Sequence, residues 1–201
     1  MPRLFRLVSL MVVLLVPFTL VAVDGPRLAT PSDPPLPTVG ADIPALSLRA
    51  YNEEVANKLV GGTSVSANNF VGLSPEQPRQ VLIIHFFSVE NSRSVEDLAT
   101  LQKLFKKYQD EGVMVISISV DPSSQEKVYT TIEESRVTYP VLRDRFGVVA
   151  RRYGIRKIPS LIITDADGRI ASAGEGYSSD IENFVDSEIR ALLKDQAAAA
   201  P

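Results

Sequence analysis

Seven residues, Val81-Leu-Ile-Ile-His-Phe-Phe87, form an almost unbroken apolar run bounded by polar sequence, and this run restricts the chain more than any other feature. Such a run reads as a strand buried on both faces, the condition of a central strand in a parallel sheet. A helix is expected next. Val95, Leu98, Leu101, Leu104, Phe105 and Tyr108 recur at three- and four-residue spacing and make one apolar stripe. Gly112 stands where a left-handed C-terminal cap would fall. The turn between strand and helix, Asn91-Ser-Arg-Ser94, lies where an open sheet places its chemistry, because first-turn N–H groups point outward there. Ser92 or Ser94 is expected to cap the helix, with Ser94 and Asp97 at capping-box spacing.

With 201 residues, 45% of them hydrophobic, the chain can bury one sizeable core and still carry an appendage. Its net charge of −3 gives no electrostatic footprint for nucleic acid. It contains no cysteine, which removes disulfides, thiolate nucleophiles, Fe–S clusters and cysteine-ligated zinc together. The single histidine, His85, leaves almost no material for a histidine metal site or a Ser-His-Asp triad. No cofactor and no metal are expected.

Arg3 and Arg6 precede Leu7 to Val23, a 17-residue uncharged stretch. A basic start followed by an apolar run reads as an export signal or a membrane anchor, and its length leaves both open. In either case the positive flank keeps the N-terminus cytoplasmic and the folded part outside. Residues 1–23 carry two positive charges and no acid, so the remainder shifts from −3 to −5. Pro26, Pro31, Pro34, Pro35 and Pro37 mark residues 24–39 as an extended, semi-rigid spacer. The folded domain is expected over 40–195 and a disordered tail over 196–201.

Within the domain, Pro44 to Leu48 and Thr63 to Ser66 read as short strands flanking a weak helix, Tyr51 to Val60, with Gly61-Gly62 as the turn. Val113 to Val120 is a second buried strand. Asp121-Pro122 opens a helix to about Arg136 with Val128, Tyr129 and Ile132 inward. Tyr139 to Leu142 is extended, and Phe146 to Tyr153 is a short helix stopped by Gly154. Ile158 to Thr164 and Arg169 to Ala173 form a hairpin across Asp165-Ala-Asp-Gly168. Ser179 to Lys194 closes the domain as a helix with Ile181, Phe184, Val185, Ile189 and Leu192 on one side and a capping box from Ser179 to Glu182. This order predicts an α/β sandwich of three layers, a mixed central sheet with helices on both faces.

Several segments, in order over about 150 residues, resemble the thioredoxin-like fold. They are Pro44 to Leu48, His85-Phe-Phe87, Leu101 to Phe105, Ser119-Val-Asp121, Tyr139 to Leu142, Tyr153-Gly-Ile155, Ile158-Pro-Ser160 and Asp165 to Arg169. The resemblance is to thiol-disulfide oxidoreductases of the TlpA/ResA type, related to the AhpC/TSA redoxins. It places the family's Cys-x-x-Cys on Asn91-Ser-Arg-Ser94, with Glu90 before it, and implies that Pro159 is cis and faces the helix start.

Both reactive sulfurs are therefore replaced. Dithiol exchange requires a thiolate and a second sulfur to resolve the mixed disulfide, and peroxidase chemistry requires a sulfenic acid. An amide and a hydroxyl supply neither. Ser92 or Ser94 as a hydrolytic nucleophile would need a base within reach, whereas His85 lies inside the strand. Asp165 and Asp167 fall short of a cation-binding set and suit the hairpin turn. The reading is a redox-inactive pseudoenzyme with no catalytic residues, acting outside the cytoplasmic membrane as a binding or assembly module. The partner is a protein or peptide held in a groove of Glu90, Asn91, Ser92, Arg93, Ser94, Ile158, Pro159 and Ser160, and residues 7–23 meet the membrane if uncleaved. Two other readings stand beside it. One is an enzyme of non-thiol chemistry or one using a partner's thiol; the other is a purely structural domain. Arg143, Arg145, Arg151, Arg152, Arg156 and Lys157 are candidates to rim the groove for an acidic partner.

Overall fold

β3, Val81–Phe87, is buried at all seven residues and has a neighbour on each side, so the chain is built outward from it. A computed structural model describes residues 25–123, 125–176 and 180–199. The apolar segment 7–23 and the Ser179 cap lie outside these residues.

β1 (Ser47–Arg49) and β2 (Ser64–Ser66) form an antiparallel pair around α1 (Glu53–Val60), whose C-cap is the left-handed Gly61. α2 (Ser92–Tyr108) carries the chain from β3 to β4 (Val113–Ser119), which lies parallel to β3 in the register Val81 to Val113. α3 (Gln125–Ser135) crosses to β5 (Val141–Arg143), again parallel. After α4 (Val148–Arg152) the chain returns antiparallel to β3 as β6 (Ser160–Thr164), turns into β7 (Ile170–Glu175), and ends in α5 (Ile181–Ala199). The sheet order β5-β4-β3-β6-β7 is the mixed α/β arrangement expected. β-strand alternation divides the layers. His85 turns toward α2, where Asp97 meets it, and Phe86 turns to the other face, against Tyr153 after α4.

The stripe of α2 buries Leu98, Leu101, Leu104, Phe105 and Tyr108, with Val95 half-buried. Each such side chain stabilises the fold by about 1.5–3 kcal/mol. α5 packs on α2 through Val185 and Ile189, and Asp186 joins Lys107 and the Tyr108 hydroxyl at 2.7 Å each. Two inward assignments are corrected. Tyr129 and Phe184 are exposed, Tyr129 because it leans edge-on over the Tyr51 ring at the rim, Phe184 because α5 needs only its Ile181, Val185 and Ile189 face. α5 also runs beyond Lys194 to Ala199, and Gln196 donates to the Gln80 carbonyl at 2.7 Å.

The proline-rich segment has no helix or strand from residue 25 to 39, in keeping with its prolines, yet it lies on the domain. The Ala29 N–H donates to the Ile155 carbonyl at 2.6 Å, Arg27 to Val120 at 3.4 Å, and Leu28 and Leu36 pack against the core. Two glycines at positive φ admit it. A Cβ on Gly147 (φ +62°) would overlap the Arg27 backbone, and one on Gly154 (φ +64°) would overlap Pro34 and Pro35. The leucines between the prolines, unread in the sequence, supply the reason to dock.

Candidate functional site

The polypeptide leaving β3 is held by a buried carboxylate. Asp121 accepts from the Ser88 hydroxyl at 2.6 Å, the Val89 N–H at 3.0 Å and the Ser119 hydroxyl at 2.9 Å. Three donors on one acid fix the path of the chain into the turn.

The cap of α2 is Asn91, not a serine. Its backbone is extended (φ −111°, ψ 109°), and its Oδ1 accepts the Ser94 N–H at 3.1 Å, satisfying one first-turn donor. Its Nδ2 donates to the Ile158 carbonyl at 3.3 Å, so one amide joins the helix start to the loop before β6. The Ile158-Pro159 bond is cis. Ser94 is buried inside the first turn, and its Oγ has no hydrogen-bond partner. Asp97 does not close a capping box with Ser94; it too is buried, with Oδ2 3.9 Å from His85 Nε2. A serine cap was the wrong choice because the helix begins one residue earlier than a Ser92 cap requires and three earlier than a Ser94 cap requires, which leaves Asn91 in the capping position.

The structure brings Asn91 and Ile158 together and sets Pro159 beside them, while separating the rest. Glu90 and Ser92 are exposed, Arg93 and Ile158 half-buried, and Pro159 buried with its carbonyl accepting the Gly176 N–H at 2.7 Å. Ser160 is inside β6, paired to Phe86 and Glu175, with its hydroxyl on the Lys157 carbonyl at 2.6 Å. Since a buried hydroxyl without a partner costs about 1–3 kcal/mol, Ser94→Ala will leave stability unchanged or raise it. A urea midpoint lower than that of the native chain would show that Ser94 Oγ has a partner.

His85 is wholly buried in the middle of β3, stacked on Phe87 and 3.3 Å from the Ser117 hydroxyl. Ser117 in turn lies 3.4 Å from the Tyr139 hydroxyl, which donates to the Leu98 carbonyl of α2 at 3.2 Å. Burial pushes the imidazole down from 6.5 to about 3, so His85 is neutral. The unfolded chain then binds a proton that the folded chain refuses. Stability contributed by the neutral ring is present above pH 6.5 and falls by about 1.4 kcal/mol per pH unit as pH drops from there toward 3. As His85 is the only histidine, urea midpoints of the native chain will fall between pH 7 and pH 5 while those of His85→Leu stay level over that interval. Parallel slopes for the two chains would contradict a neutral buried ring.

A hydrolytic serine finds no support here, because Ser94 Oγ faces the interior and Ser92 is exposed on the turn. Asp165 spends its carboxylate on the hairpin, accepting the Arg169 N–H at 2.8 Å. The basic cluster is dispersed. Arg143 donates to Gln125, Arg152 to the Ala45 carbonyl and Arg156 to the Asp33 carbonyl, whereas the exposed Lys157 adjoins Ile158. A cleft of about 700 Å³ lined by Ile43, Val71, Leu73 and Arg169 opens at the opposite end of the sheet from Asn91. The sequence reading placed Asp121 at a helix start and Asp97 in a capping box, and in neither case gave the buried role that the structure shows.

The relatives carry names that agree with this scaffold. The thiol-disulfide oxidoreductase ResA of Bacillus thuringiensis subsp. konkukian is 23% identical over 92 residues, 45% of this chain, so the chain spans about half (53%) of that relative's length. ResA of Halalkalibacterium halodurans is 22% identical over 163 residues, covering 76% of this chain and 89% of that protein. A crystal structure of a candidate thiol:disulfide interchange protein DsbE from Chlorobium tepidum superposes with a TM-score of 0.65 at 17% identity, covering 78% of this chain and 98% of that one. That likeness shows the thioredoxin-like fold. Residues 39–173, which hold β1 to β6, most of β7, the Asn91 turn and the cis proline, match the AhpC/TSA family. On that match and the fold that carries it, the chain belongs to the AhpC/TSA family, without any cysteine.

Proposed function

We propose that this chain is a redox-inactive member of its family, a pseudoenzyme that serves outside the cytoplasmic membrane as a binding or assembly module for a protein partner. The observation that carries the reading is Asn91. At the position where a reactive sulfur would stand, its amide caps α2 and holds the Ile158 carbonyl, a structural task that leaves no nucleophile. The exposed Glu90 and Ser92 and the half-buried Arg93 and Ile158 supply the surface on which a partner segment would lie. Export is supported by the basic flank and the uncharged residues 7–23, acting as a cleaved signal or a retained anchor.

The test has two arms. Dithiothreitol-driven insulin reduction by the purified chain should proceed at the rate without protein, and turnover above that rate overturns the redox-inactive reading. A photo-crosslinker at Ser92 should trap a protein partner in native membranes that one at Ser74, in the far cleft, does not. Equal trapping at both positions overturns the groove as the binding surface.

A further inference from the structure

The described chain starts beside one particular face of the domain. Arg27 donates its N–H to the carbonyl of Val120, just beyond β4, and its backbone fills the space that a Cβ on Gly147 would take. Val23, the last residue of the uncharged stretch, is four residues from Arg27. At about 3.5 Å per residue it cannot lie more than about 14 Å away. Whatever holds residues 7–23 therefore also holds the neighbourhood of Gly147.

That neighbourhood is apolar and basic. Phe146 and Val148 flank Gly147 and are 66% and 47% exposed. The Arg145 guanidinium lies 5.6 Å from the Phe146 ring centre, Arg151 donates to the Phe146 carbonyl at 2.8 Å, and Arg152 donates to the Ala45 carbonyl at 2.6 Å. Arg145 and Arg152 meet a ring and a carbonyl, while Arg151 also lies within electrostatic reach of the Asp33 carboxylate, whose oxygen is already taken by Thr30. Asp144, next to Arg145 in the chain, is buried and accepts the N–H groups of Val148 and Ala150 with its two oxygens.

We infer that the face carrying Arg27, Arg145, Phe146, Val148 and Arg151 rests on an anionic lipid surface. The inference rests on the reading of residues 7–23 as a retained anchor. An exposed phenyl ring and valine enter the acyl boundary while neighbouring guanidiniums pair with phosphates, the composition of an interfacial contact. An acidic protein segment would suit the cations, but it would not account for their adjoining the attachment point of an apolar stretch. The face lies at the end of the sheet where β4 and β5 finish and where the Asn91 turn follows β3, so the candidate groove is held on the membrane side of the domain.

The chain contains no tryptophan, so Phe146→Trp in the full chain gives a single reporter, and Leu73→Trp, fully exposed in the far cleft, gives its control. Both variants are reconstituted into phosphatidylcholine vesicles with and without phosphatidylglycerol, and flotation is scored first. With phosphatidylglycerol present, the indole at 146 sits roughly 5–10 Å below the headgroups, shifts to the blue and loses roughly half its emission to brominated acyl chains. The indole at 73 does neither. Adding Arg145→Glu and Arg151→Glu to the first variant abolishes the quenching. A chain that floats but leaves position 146 unquenched overturns the lipid contact, keeps the anchor, and frees this face for a protein partner. A chain that does not float overturns both. Equal quenching without phosphatidylglycerol overturns the role of the guanidiniums.

Discussion

Placing cysteine at both Asn91 and Ser94 will give a chain that reduces insulin disulfides. The helix start and the cis Ile158-Pro159 bond are in position. A thiol at 91 would stand at the cap of a 17-residue helix, where unpaired N–H groups favour an anion. A thiol there falls from a pKa of about 8.5 toward about 7, raising its thiolate fraction at pH 7 more than tenfold. A thiol at 94, three residues on, lies on the same face of the first turn and is buried, as suits a resolving group. Ser94→Cys gives up no hydrogen bond, since the Ser94 hydroxyl has none. Asn91→Cys gives up the cap and the link to Ile158, a loss of about 1–2 kcal/mol that the fold can bear. The double variant should reduce insulin at roughly ten times the unassisted rate or more, and Asn91→Cys alone should stall as a mixed disulfide. If the double variant folds with native circular dichroism yet stays at the unassisted rate, two cysteines on this scaffold do not suffice for dithiol exchange.

Asp121→Ala is expected to cost about 3–5 kcal/mol, because it strands three buried donors at once. The Ser88 hydroxyl, the Val89 N–H and the Ser119 hydroxyl all converge on this carboxylate, which is 2% exposed. Against a total stability of about 5–15 kcal/mol, that is a large share. Urea unfolding at unchanged m-value reports it as a lowered midpoint. Asp121→Asn keeps an acceptor in place and should recover part of the loss. A change below about 1 kcal/mol in the alanine variant would mean that the turn keeps its path without this clasp.

The parts of the fold that could be read from the sequence were those where one residue pattern admits one structure. Val81–Phe87 and Val113–Ser119 are too apolar to be anything but buried, and the α2 stripe repeats at a period only a helix satisfies. The buried polar groups were not readable that way. Asp97 looks like one more charge on a helix, and only the sheet beneath it, with His85 pointing up from β3, makes it an interior residue. The same holds for the Asn91 cap. Asparagine is as good a cap as serine, and the choice among Asn91, Ser92 and Ser94 is settled by where the chain is released from Asp121. Tyr129 and Phe184 fit their helical periods but sit at helix edges, and periodicity alone does not say where a neighbouring element ends.

The seating of the proline-rich arm has a practical consequence for anyone trimming this protein to its domain. A fragment started at residue 40 would look generous on paper, since every strand and helix survives. It would nevertheless strip Leu28 and Leu36 from the core, uncover the carbonyls of Val120 and Ile155, and leave two left-handed glycines shaping empty recesses. The arm behaves as a strap, held from Arg27 to Leu36 against the domain that follows it.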